Sequence, residues 1–178
     1  SMPHESDRNK HRSYTATCHL DGEILSAALF DVILQESGFD SAFIDLSDGP
    51  LTVSGDYHNA RIDFMTSRKI AFGLKEINRS KILVLPGYGG ADVNIRALKT
   101  LGRSGSDTAA SGYLYAFKGN RFWVVTDVKG ILNINDKNLG ETVPVLDVDE
   151  TKDAASLGAK LPGRRAVHGI EKYFNEGG

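Results

Sequence analysis

A single cysteine, Cys18, stands among 178 residues, so no disulfide can close within the chain and a disulfide-stapled fold is excluded. Long hydrophobic runs are missing too. The longest aliphatic stretches, such as Ile82-Leu83-Val84-Leu85, are four residues, against the roughly 18–20 that a membrane-spanning helix needs. Neither sign of charge dominates: 21 basic and 23 acidic side chains leave −2, with no block of like charge to neutralise a phosphate backbone. Neither nucleic acid nor a membrane is an expected partner. No Cys or His spacing suggests a metal site, and no apolar leader opens the sequence, which with the lone thiol fits a reducing cytoplasm. What remains is ordinary globular composition, 40% hydrophobic and 25% charged, in a length that suits one domain of about 100–200 residues.

Ser1-Met2 reads as a cloning scar before a start methionine, and Pro3 to Arg12 holds little to bury. Residues 1–12 are therefore expected to be a tag remnant and disordered tail, with one folded domain over 13–178. From Asp21, the residues Ile24, Leu25, Ala28, Leu29, Val32 and Ile33 recur at helical spacing up to Gly38, which predicts an amphipathic helix. Ser41 to Asp45 predicts a short strand, Asp48-Gly49-Pro50 a turn, and Leu51 to Val53 a second extended piece. Arg61 to Arg79 predicts a helix. Lys81 to Gly87 predicts a strand buried on both faces, opening into a glycine-rich loop at Gly87 to Asp92 where backbone can approach a ligand. Ser106-Asp107 predicts the start of a helix to Gly119. Arg121 to Thr126 predicts a strand, with Phe122 and Trp123 in the core and an exit turn at Asp127 to Gly130. Asp149 to Leu157 and Arg164 to Phe174 predict two further helices. Strands alternating with helices give an α/β class, a three-layer α/β/α sandwich around a mainly parallel sheet, with ligands outside the carboxyl ends of the strands.

Chemistry concentrates in Leu101-Gly102-Arg103-Ser104-Gly105-Ser106-Asp107, where glycines beside an arginine feed into a helix N-terminus. Backbone N–H groups and the helix dipole favour an anion there, and a guanidinium can grip a carboxylate bidentately. A plain loop before a capped helix is the competing explanation, and the segment is neither a Walker loop nor a dinucleotide fingerprint. His58 and His168 have no partner pattern, and Cys18 has no neighbouring base to activate it.

The same segment resembles the signature of the aspartokinases, in the amino acid kinase superfamily. Their Thr-Leu-Gly-Arg-Gly-Gly-Ser-Asp is matched by Thr100 to Asp107 with Ser104 replacing one glycine. Asp21-Gly22-Glu23 to Ser26 is similar to the family's Gly-Glu-x-x-Ser helix start. Thr126 to Ile131 is similar to its Thr-Asp-Val-x-Gly-Ile nucleotide turn, and Ala155 to Lys160 to its Ala-Ser-x-Gly-Ala-Lys segment. These matches are collinear over about residues 20–170.

The resemblance implies an incomplete amino-acid-kinase fold in which Glu23 and Asp107 contact a substrate ammonium. Arg103 would hold the α-carboxylate, with Ser106 in the same pocket. Thr126 and Asp127 would line the adenosine, Lys160 would approach the phosphates, and Lys137 would stand where the family has an arginine. Implied ligands are L-aspartate or a related amino acid and ATP, with Mg²⁺ accompanying ATP, and the implied reaction moves the γ-phosphoryl group to the side-chain carboxylate.

Departures from the family are also visible. The Lys-Phe-Gly-Gly-Thr-Ser strand and loop that holds the transferring phosphate is absent, Leu132 replaces a tyrosine, and Asn135-Asp136-Lys137 replaces Asp-Pro-Arg. Lys160 lacks the following His-Pro, and no regulatory ACT domain is expected after Gly178. The phosphoryl-transfer lysine is thus unassigned. Three readings stay open: part of an aspartate kinase that works with a complementing subunit or as a homo-oligomer; a non-catalytic regulator binding an amino acid or nucleotide; and a kinase for a different carboxylate.

Overall fold

A computed structural model describes residues 5–77, 81–125, 130–131, 140–156 and 163–176. Helix α1 spans Glu5–Glu36 and starts well before the expected Asp21. Tertiary contacts account for the extension. Arg12 pairs with Asp56, the Thr15 hydroxyl lies 3.1 Å from His58 Nε2, and Ala16 and Leu20 are fully buried. Gly38, at φ 85°, provides the left-handed stop after α1.

Strand β1 (Ser41–Phe43) pairs in parallel with β4 (Ile82–Val84), Ser41 opposite Ile82. Strands β2 (Val53–Asp56) and β3 (Asn59–Ile62) form an antiparallel hairpin. Arg61 and Ile62 therefore belong to a strand, not to the following helix α2, which spans Phe64–Ile77. Asp63 starts that helix: its carboxylate accepts the Thr66 amide at 3.1 Å, and hydrogen bonds from the Thr66 hydroxyl and amide hold its pKa below the ordinary value.

The expected glycine loop is largely a strand. Strand β5 (Gly89–Asp92) pairs antiparallel with β6 (Ala97–Thr100), and Thr52 bridges in parallel to Ala91. A Cβ on Gly89 would lie 2.5 Å from Leu20 Cδ2, and one on Gly90 2.4 Å from the Leu51 carbonyl oxygen. The glycines are thus the condition for packing β5 between α1 and the β2 approach.

Helix α3 spans Gly105–Phe117, α4 Val148–Ser156 and α5 Arg164–Asn175. Among the described residues the architecture is the expected α/β class, a three-layer arrangement containing a parallel strand pair and two antiparallel hairpins. One core cluster joins Leu51, Val53, Ala60, Leu101 and Ala109. A second joins Leu114, Tyr115 and Tyr173 with Phe64, Phe122 and Ile170. Helix α5 lies close on α3 because a Cβ at Gly169 would come within 2.5 Å of Ser111 Oγ.

Residues 121–125 form no strand. Trp123 is 78% and Val125 96% exposed; of the expected aromatic pair, Phe122 packs against a core cluster. β-rich composition makes no ladder without a neighbouring strand. No helix among the described residues is long and apolar enough to cross a membrane.

The buried Lys99 ties the two hairpins: its Nζ lies 2.7 Å from Asp92 Oδ2 within its own hairpin and donates to the Gly55 carbonyl of the other at 2.7 Å. Burial pushes the Asp92 carboxyl up, but hydrogen bonds from Lys99 and the Asn94 amide, with the ammonium charge, leave it net below the ordinary 3.8. Its contribution to stability is accordingly present above that value and lost as pH falls through the lower folded pKa. Lys99→Met strands the carboxylate and is expected to cost about 3–5 kcal/mol in denaturant unfolding at neutral pH. Arg12→Ala, at a half-exposed pair, is expected to cost under about 1 kcal/mol. Equal losses would contradict this ranking.

Candidate functional site

Strand β4 ends at Val84, and the chain passes through Leu85 and Pro86 to Gly87. The buried Tyr113 phenol of α3 donates to the Pro86 carbonyl at 2.8 Å. Burial raises the Tyr113 pKa far above its ordinary value, so the hydroxyl keeps the proton it donates. This bond fastens the exit of β4 to α3.

At that point the sequence-predicted residues Glu23 and Ser106 both border Gly87. A Cβ added to Gly87 would lie 3.4 Å from Glu23 Oε2 and 3.4 Å from Ser106 Oγ. Gly87 leaves the space between a carboxylate from α1 and a hydroxyl from the first turn of α3. Glu23 lies in the middle of α1, so a helix N-terminal charge role does not explain it. It is half-buried, and its placement beside Gly87 is the stronger reading.

The Gly102-to-Gly105 turn delivers the other candidates. Gly102 has φ 75° and Ser104 φ 55°; both are left-handed, a conformation that costs an L-residue roughly 1–2 kcal/mol. Ser104 is the position where the resembled signature has glycine, and the turn retains the geometry that favours glycine. Helix α3 begins at Gly105, one residue before expectation, with no side-chain cap on its N-terminus. A Cβ on Gly105 would lie 2.7 Å from Tyr88 Cδ2, so this glycine permits close contact with the Tyr88 ring.

Arg103 occupies the exposed turn, and half-buried Asp107 the first turn of α3. Of the expected site residues, Glu23 of α1 and Ser106 of α3 both border Gly87, while Arg103 and Asp107 flank Ser106 along the chain, in the turn and in the first turn of α3. Carboxylates suit an ammonium, while a guanidinium and first-turn amides suit a carboxylate. An α-amino acid carries both groups.

Two supporting residues escaped sequence reading. Tyr113 had a usable signal, since it follows Ser106 by seven positions and so shares its helix face. Arg165 had none: from α5, its Nη1 donates to the Leu101 carbonyl at 3.0 Å across 64 residues, just before the Gly102-Arg103 turn. A Cβ at Gly163 would approach Ser104 Cβ to 2.5 Å, placing the start of α5 against the same turn. Thr126, Asp127, Lys137 and Lys160 lie outside the described residues. Among those described, no group of three or more His, Cys, Asp or Glu side chains is placed to hold a metal ion.

Residues 7–171 match the model of the amino acid kinase family. An aspartokinase of Bacillus sp. (strain MGA3) is 30% identical over 154 residues, covering 85% of this chain and 36% of its relative. One from Rickettsia prowazekii (strain Madrid E) is also 30% identical, covering 85% and 34%. The chain thus spans about a third of the length of these relatives. Among solved structures, E. coli aspartokinase III in complex with aspartate and ADP superposes with a TM-score of 0.82 at 23% identity, covering 91% of this chain and 36% of that one. The same enzyme with lysine and aspartate gives 0.72, also at 23% identity, covering 85% and 34%.

Two substitutions test the turn. Ser104→Gly is expected to be neutral or to stabilise by up to about 1 kcal/mol by relieving the left-handed residue. Gly105→Ala is expected to cost about 1–3 kcal/mol through its clash with Tyr88. Thermal unfolding in which both variants lose stability equally would contradict the geometry.

Proposed function

Because the chain belongs to the amino acid kinase family, we propose that it forms the amino-acid-binding part of an aspartate kinase, acting in transfer of the γ-phosphoryl group of ATP to the side-chain carboxylate of L-aspartate. The observation that carries the reading is the placement of Glu23 and Ser106 on either side of Gly87 at the N-terminus of α3.

In this reading Glu23 and Asp107 pair with the substrate ammonium. Arg103 takes the α-carboxylate bidentately, and the Ser106 hydroxyl and first-turn amides of α3 complete the donor set. Such fixation removes rotational freedom from the substrate before any bond changes and presents its side chain in one orientation. ATP, with Mg²⁺ on its phosphate oxygens, supplies the phosphoryl group when bound. Thr126, Asp127, Lys137 and Lys160 are the residues proposed for it. The lysine that holds the transferring phosphate in the resembled family has no counterpart in this sequence, so a complementing chain is proposed to contribute it.

Calorimetric titration of the purified chain with L-aspartate is expected to show one site. Arg103→Ala and Glu23→Gln should each weaken it by roughly 10–100-fold, the loss of one charge-assisted contact. Succinate, which lacks the ammonium, should respond to Arg103→Ala but not to Glu23→Gln. An undetectable wild-type site, or one indifferent to both substitutions, would contradict the proposal.

A further inference from the structure

Helix α2 and the C-terminal end of α3 flank a groove of about 530 Å³ that the amino-acid site does not use. Gly87 borders the first turn of α3, whereas the groove lies against its last residues, about 18 Å further along the helix axis. Two large apolar side chains of α2 line the groove in the open: Met65 is 58% and Phe72 68% exposed. They are seven positions apart and so share one helix face. The buried Ala71 and Ala116 put small side chains where the two helices meet. An apolar stripe beside a recess between two helices is the shape that receives an amphipathic segment.

Charge indicates the chemistry of that segment. Arg68, Lys69, Lys75 and Lys118 line the same groove, with Glu76 as the carboxylate among the lining residues. Asp63, whose pKa Lys69 helps to lower, offsets part of this, as does roughly half a negative charge at the C-terminal end of each helix. The groove stays positive in a chain whose net charge is −2. Lys75 and Lys118 form no ion pair among the described residues. The Arg68 guanidinium carbon lies 3.9 Å from the centre of the Tyr115 ring. Its Nη2 reaches the Tyr115 carbonyl at only 3.4 Å, and its buried Nε has no hydrogen-bond partner. Its donors are largely unspent, and a carboxylate is the acceptor they suit best. A small inorganic anion would leave Met65 and Phe72 in water, and an uncharged apolar segment would leave the four cations unmatched.

We propose that the groove between α2 and α3 docks an acidic, amphipathic segment of a partner protein. Its apolar face packs on Met65 and Phe72, and its Asp and Glu side chains meet Arg68, Lys69, Lys75 and Lys118. The contact stands apart from Gly87 and does not depend on which amino acid binds there.

A random-peptide library displayed on phage, selected on the full chain and counter-selected on the Phe72→Ser, Lys75→Glu double variant, tests the assignment. Recovered peptides are expected to place Leu, Ile or Phe at helical spacing among an excess of Asp and Glu. In fluorescence anisotropy, a recovered peptide should bind about tenfold more weakly to Phe72→Ser and several-fold more weakly to Lys75→Glu. Its affinity for the wild type should fall as salt rises. Both substituted side chains are exposed, so far-ultraviolet circular dichroism should not change. Failure to enrich any peptide, enrichment of basic or uncharged peptides, or equal binding by the variants would overturn the proposal. Phosphatidylserine vesicles bound in place of acidic peptides would overturn it in favour of a membrane surface. Self-association of the wild type that Phe72→Ser abolishes would overturn it in favour of a second copy of this chain.

Discussion

Close approach of backbone to its neighbours at Gly89 and Gly105 is the constraint on which the rest of the site depends. Gly89 lets Leu20 of α1 press onto β5, and Gly105 lets α3 begin against Tyr88. With α1 drawn in on one side and α3 on the other, Gly87 is left between Glu23 and Ser106. A Cβ at Gly89 or Gly105 would enter space already taken by a neighbour, whereas one at Gly87 would lie 3.4 Å from Glu23 Oε2 and from Ser106 Oγ. Glycine costs backbone entropy in a strand, and here that cost is offset by the convergence of two helices from distant parts of the sequence.

Rigid supports then hold the turn that carries Arg103. Tyr113 fixes Pro86 from α3, and Arg165 fixes the Leu101 carbonyl from α5. The buried Lys99–Asp92 pair and the bond from Lys99 to Gly55 lock β5–β6 to β2–β3, so the sheet under the turn has little freedom to shift. Arg103 itself stays exposed on a left-handed turn. A ligand-gripping side chain on a loop, backed by packed elements, is the usual division of labour between precision and access.

Local chemistry was legible in the sequence, and tertiary context was not. The Gly102-to-Asp107 turn, the Gly38 stop and the β1 and β4 strands could be read because each depends on a few adjacent residues. The start of α1 could not: the segment Glu5 to Arg12 is poor in apolar residues, and Arg12 is tied to Asp56 in a hairpin far along the chain. Asn59 to Ile62 was hidden because four residues are too few for period-two alternation to outweigh the helical pattern that follows. Trp123 and Val125 look like core by composition, but their burial would need a partner strand that is not among the described elements. Of the candidate site, Glu23 and Ser106 were found from sequence and are brought together. Arg165 left no sequence trace, because its role is defined by a bond to a carbonyl 64 residues away.

The central claim is that α1, the β4 exit and the start of α3 form one amino-acid site. Its most direct test is a two-dimensional ¹⁵N–¹H spectrum of the chain titrated with L-aspartate. Coordinated shifts of the Glu23, Gly87 and Ser106 amides, fitting a single dissociation constant, are the predicted result. Saturable shifts confined to other residues, with these three unmoved, would contradict it.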